Sequence, residues 1–134
     1  MNFTMLIYET DAGLARRTEP DAQKREAYWA AWPLYVQALH EAGVFVAGAG
    51  LQPPETATTV TLGDQRRVQD GPYADTKEQL GGYFVINVPD LDTALEWAAR
   101  IPAAPGSAIE VRPNLERPDG GGCAVEAEAA RHAT

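Results

Sequence analysis

Twice along this chain a strand-like apolar run gives way to a stretch of helical periodicity, and that alternation restricts the fold more than any other feature. Residues 3–8, FTMLIY, are continuously apolar with β-favouring ends and predict a buried strand. The polar segment from Glu9 to Asp21 reads as a loop with at most a helical start. From Ala22 to Ala42 the period lengthens: Tyr28, Trp32, Tyr35 or Val36, and Leu39 recur at three- and four-residue spacing. Gly43 follows as a C-cap signal. Pro33 lacks a backbone donor and crowds the carbonyl four residues earlier, which predicts a kink or two shorter helices.

The second half repeats the theme. Val44 to Ala47 predicts a strand, and the segment from Gly48 to Pro54 a turn-rich exit. Thr58 to Leu62 has strand composition, and Gly63-Asp64 supplies a hairpin turn back through Arg66 to Gln69. Tyr83 to Val88 is a further strand. Asp90 is placed to cap a helix over Leu91 to Ile101, Pro102 stops it, and Ala108 to Arg112 alternates as a last strand.

This order predicts an α+β, ferredoxin-like fold, a mainly antiparallel sheet with two helices on one face. Both faces of FTMLIY and YFVINV carry apolar groups, so the uncovered face calls for a partner, most simply a second copy of the chain. The 134 residues suit one domain, over residues 1–115, with a flexible tail over 116–134 marked by Gly120-Gly121-Gly122 and an Ala/Glu-rich end. A net charge of -8 and the lack of a basic stripe argue against nucleic acid and anionic membrane as partners. The N-terminus has no basic region ahead of its short apolar run, which predicts a cytoplasmic protein without a signal peptide. Cys123 stands alone, so no internal disulfide forms.

Asp70-Gly71-Pro72-Tyr73-Ala74-Asp75-Thr76-Lys77-Glu78 resembles the signature of the DGPF branch of the YCII-related proteins, usually DGPFAETKE. Tyr73 replaces Phe and Asp75 replaces Glu. The likeness continues through Gln79-Leu80-Gly81-Gly82-Tyr83-Phe84, the stretch Glu96 to Pro102, and Ile109 to Pro113. Upstream it includes Ala42 to Val60, so that it covers roughly residues 2 to 115. The resemblance implies a dimeric α+β barrel in which two sheets enclose a cavity. It also implies a link to an extracytoplasmic-function sigma factor. It implies no single reaction, because a fold hosts many. The other main branch carries a His in the first long helix and an Asp before the Pro that ends the second. By spacing those positions are Trp32-Pro33 and Ile101 here, and none of these residues can transfer a proton.

Within the motif, Asp70, Gly71 and Pro72 suit turn building, with the Asp70 carboxylate accepting from downstream backbone donors. Asp70 is also a candidate cavity carboxylate. Asp75 and Lys77 complete the candidate catalytic set, a base and an ammonium for an anionic or enolate-like substrate. The competing reading is a solvated, salt-bridged loop. Glu78 and Tyr73, with Tyr8 and Tyr83 on the strands, are candidate ligand-binding residues for a small aromatic or anionic molecule. Tyr28, Trp32 and Tyr35 could line a pocket or fill the core. His40 suits the end of a helix, and His132 lies in the tail. No metal site and no cofactor is expected, since no ligand set, phosphate loop, dinucleotide fingerprint or serine elbow is present. Two function classes follow: a cofactor-independent small-molecule enzyme working by proton transfer, and a non-catalytic ligand-binding or regulatory dimer.

Overall fold

The computed structural model describes residues 1–118, and the greater part of the 116–134 tail lies outside them. Strand β1 (Asn2–Glu9) opens the chain with strict alternation between buried and half-buried residues. Helix α1 (Asp11–Leu14) gives the segment its helical start, and a 3-10 turn (Ala15–Thr18) extends it further than the sequence indicates. The Thr10 hydroxyl makes the difference, because it accepts the Gly13 N–H and starts the turn. Helix α2 runs unbroken from Ala22 to Glu41. Asp21 caps it by accepting from the N–H groups of Gln23 and Lys24. Pro33 lies inside this helix on its exposed side and does not divide it in two.

Strand β2 (Phe45–Gly50) extends past the expected Ala47, so the glycines read as a turn are sheet residues. Gly48 pairs with Phe84 and Gly50 with Gly82. A Cβ on Gly48 would fall 2.5 Å from the Phe84 ring, so this glycine lets the two strands hold a large aromatic between them and α2. A 3-10 turn (Pro54–Thr56) leads to β3 (Thr58–Thr61) and β4 (Arg67–Asp70), a two-stranded hairpin separate from the main sheet. Strand β5 (Gln79–Asn87) starts four residues before Tyr83. Helix α3 (Leu91–Ala99) is capped by Asp90, which accepts the Thr93 N–H at 2.8 Å, and β6 (Ala108–Pro113) closes the fold.

The main sheet has the order β2-β5-β1-β6 with every pair antiparallel. That is the ferredoxin-like arrangement, with the hairpin inserted between its second and third strands. One face carries the core. Phe3, Met5 and Ile7 of β1, with Phe84 and Ile86 of β5, pack beneath Tyr35 and Leu39 of α2 and Ala94 and Ala98 of α3. The Tyr35 hydroxyl donates to the Trp97 carbonyl at 2.8 Å and so ties the two long helices together. Its burial pushes the phenol well above the ordinary range, opposed by the nearby Arg100 charge. On the other face, Leu6 stands opposite Tyr83 and Thr4 opposite Val85, and no helix among the described residues packs over them. The apolar character of both faces is therefore as the strand composition predicts.

Candidate functional site

The inward stripe of β1 runs Phe3, Met5, Ile7 and then Glu9. A carboxylate thus occupies a position that strand alternation assigns to the core, and Glu9 is only 2% exposed. Burying a charge in such a place requires a partner. It comes from the 3-10 turn eight residues later: Arg17 Nη2 lies 3.2 Å from Glu9 Oε2. The same guanidinium donates to the Gly81 carbonyl at 3.1 Å and to the Leu51 carbonyl. Arg17 therefore joins the end of β1 to β5 and to the segment that leaves β2. The Trp29 indole N–H in turn donates to the Arg17 carbonyl at 3.0 Å, which fixes the turn against α2.

The neighbouring glycines make room for this pair. Pairing between β1 and β5 shifts by one residue after Ile7, where Gly82 opposes Ile7 and Leu80 opposes Tyr8, leaving Gly81 as the bulge. A Cβ on Gly81 would lie 2.0 Å from Glu9 Oε2, and one on Gly82 would lie 2.9 Å from the Ala49 carbonyl oxygen. Only glycine at 81 allows the carboxylate its present position. The Gly81-Gly82 step after the charged motif is therefore part of the site.

Between α2 and the sheet, above this pair, is a cleft of about 550 Å³, half open to solvent. That volume suits a small organic ligand. Tyr28, Trp29 and Trp32 form the helix side, and Phe45, Gly48, Gly50 and Phe84 the sheet side. Trp32 lies nearly parallel to Phe84, with ring centroids 6.5 Å apart and planes 21° apart, and Tyr28 meets Trp32 edge-on. Two buried polar atoms here have no hydrogen-bond partner among the described residues, Glu9 Oε1 and Trp32 Nε1. Leaving such an atom unpaired costs about 1–3 kcal/mol, so each calls for a partner, either a water or a polar group of a ligand.

The residues expected to act in a dimer cavity do not line this cleft. Asp70, Tyr73, Asp75, Lys77 and Glu78 are all exposed, Tyr73 to 81%, and none lines the cleft. The turn at Asp70 is not held by its carboxylate. The Gly71 N–H donates to the Ala57 carbonyl at 2.7 Å and the Thr59 hydroxyl to the Gly71 carbonyl at 2.7 Å, with Gly71 at φ 96°. Thr76 and Gln79 order the rest of the motif: the Thr76 hydroxyl donates to the Glu78 carbonyl, and Gln79 Nε2 to the carbonyls of Ala74 and Thr76. Among the described residues no ion pair joins the motif's charges to one another. Tyr8 and Tyr83 are half-buried on the open face of the sheet, away from the cleft. Of the aromatic candidates, Tyr28 and Trp32 line the cleft, whereas Tyr35 belongs to the core. His40 ends α2 with its ring 4.3 Å from that of Phe45. Among the described residues no three His, Cys, Asp or Glu side chains gather as a metal site would need. No helix among them is long and apolar enough to cross a membrane.

Glu9 and Arg17 were hidden inside a segment that reads as loop. The available signal was the β1 alternation, which continues one residue beyond FTMLIY and places Glu9 inward.

An uncharacterised protein of Rhizobium meliloti is 41% identical over 76 residues, covering 54% of this chain and 61% of that protein, so the match spans less than two thirds of the relative. A similar solved structure is that of 5-chloro-2-hydroxyhydroquinone dehydrochlorinase from Burkholderia phenoliruptrix, in complex with 2,5-dihydroxybenzoquinone. It is 15% identical, with a TM-score of 0.48, over 90% of this chain and 100% of that one. The model of the YCII-related domain matches residues 1–116. With most of its length matched, this chain belongs to the YCII-related domain family.

Proposed function

We propose that this protein acts on a small organic molecule held in the cleft between α2 and the sheet, with Glu9 as the proton acceptor. The observation that carries this reading is a buried carboxylate with one oxygen held by Arg17 and the other unpartnered in an aromatic-walled cleft. A fixed, buried carboxylate at the floor of such a cleft is suited to general-base work. Arg17 acts as a positioning residue, since it holds Oε2 and leaves Oε1 to the ligand. In this reading the protein is of the DGPF branch and works as a homodimer paired through the open sheet face. Tyr8 and Tyr83 then face the partner copy, and Asp70, Asp75 and Lys77 act, if they act on a ligand, only in the assembled dimer.

Gly50 provides the test. It faces the cleft, and a Cβ there meets nothing within 4 Å, so Gly50→Leu fills the space without a backbone clash. A ligand-observed NMR screen of small aromatic fragments should give binders with the wild-type chain and lose them with Gly50→Leu. Incubated in D2O, a binder that is also a substrate should exchange a carbon-bound proton, and Glu9→Gln should stop the exchange. Fragments bound equally by the Gly50→Leu chain would refute the cleft as the site. Binding without exchange, across the binders, would favour the regulatory class over the enzyme.

A further inference from the structure

Glu9 and Trp32, which line the cleft, each carry a buried atom without a partner among the described residues, and the two have opposite hydrogen-bonding sense, since Glu9 Oε1 accepts and Trp32 Nε1 donates. The charge of the cleft is also closed on itself. Its charged lining residues are Glu9 and Arg17, paired at 3.2 Å. Both terminal nitrogens of Arg17 are already engaged, Nη1 with the Leu51 carbonyl and Nη2 with Glu9 and the Gly81 carbonyl. Three of the five Arg17 N–H donors are thus in use and its charge is shared with Glu9, so an incoming carboxylate or phosphate meets no second cation among the described residues of the lining and lies close to the Glu9 carboxylate. The remaining walls are the flat rings of Tyr28, Trp29, Trp32 and Phe84.

We infer that the cleft selects an uncharged, flat molecule with an O–H or N–H donor for Glu9 Oε1 and an acceptor for Trp32 Nε1, and that it rejects carboxylates and phosphates. This rests on the cleft being the working site and specifies what that site takes. It departs from the anionic substrate that Lys77 suggests, because Lys77 is exposed and does not line the cleft.

Three probes with one ring skeleton separate the elements of this inference. Calorimetric titration of the full chain at neutral pH would use 2-naphthol, 2-methoxynaphthalene, which lacks the donor, and 2-naphthoate, which carries a charge. The 2-naphthol is expected to bind about tenfold or more tightly than the methoxy compound, the effect of one hydrogen bond to a charged group. The naphthoate should bind more weakly than either. Trp32→Phe keeps an aromatic ring and removes the donor, and should weaken 2-naphthol about two- to tenfold. Equal affinities for 2-naphthol and 2-methoxynaphthalene, or a preference for the naphthoate, would overturn the ligand class and leave the cleft as a binding site. Failure of all three to bind, or binding indifferent to Gly50→Leu, would overturn the cleft and this inference together.

Discussion

Gly81 shows how much of the site depends on one missing methyl group. A side chain there meets Glu9 Oε2 before any other atom, so Gly81→Ala must displace the carboxylate, the bulge or both. Overpacking of this kind costs about 1–3 kcal/mol. Thermal unfolding of Gly81→Ala should show that loss, and Gly50→Leu, where a Cβ finds open space, should not. Equal stability of Gly81→Ala and wild type would mean that Glu9 is not held where it is seen. At this scale the sequence is a poor guide. A glycine that makes room for a carboxylate more than seventy residues earlier looks the same as one that turns a loop, and Gly81-Gly82 follows a charged motif that draws attention to itself. The motif's charges are exposed, whereas the groups that meet in the cleft are single residues drawn from β1, the 3-10 turn, α2 and β5.

At the scale of elements the sequence is far more informative, because each strand and helix advertises its own period. Helix α3 is the clearest case: Asp90 is recognisable as its cap from sequence and performs that role. Hydrogen bonds from the Thr93 hydroxyl and N–H lower the Asp90 carboxyl below its ordinary value of 3.8. A carboxyl depressed in the folded state contributes stability that is present above the unfolded pKa and lost as pH falls through the folded one. Asp90→Asn should therefore retain most of the neutral-pH stability, since Asn also caps, and should flatten its decline below about pH 4. Asp90→Ala should be less stable than wild type at neutral pH. An unchanged acid limb in the Asn variant, followed by circular dichroism, would remove Asp90 from the account. The elements that sequence misplaces are those whose state is decided by a neighbour. Gly48 and Gly50 are strand residues because β5 pairs with them, and α1 forms because Thr10 caps it.

The whole molecule is a sheet with one face covered by helices and one left open, as the order of periodic stretches predicts. Leu6 and Tyr83, both half-buried, give this face an apolar centre, a surface suited to a second copy of the chain. On the proposed homodimer, the wild-type chain should sediment as a dimer at micromolar concentration and Leu6→Lys as a monomer with its helical content unchanged. A wild-type chain that sediments as a monomer throughout would exclude this face as a stable homodimer contact. The cleft lies on the opposite side, between α2 and the sheet, so a monomeric variant offers a way to ask whether one chain suffices to bind.

On the proposed function, ligands enter the aromatic cleft over Glu9 and do not gather at the exposed motif. The three tryptophans give the most direct measurement, as three indole N–H signals in a nitrogen–proton correlation spectrum. Trp29 donates to the Arg17 carbonyl, whereas Trp32 Nε1 has no partner among the described residues. Titration with 2-naphthol should move the Trp32 indole signal most, with the amides of Gly81 and Gly82 following and those of residues 70–78 unmoved. Shifts concentrated in residues 70–78 with a stationary Trp32 indole would contradict the account.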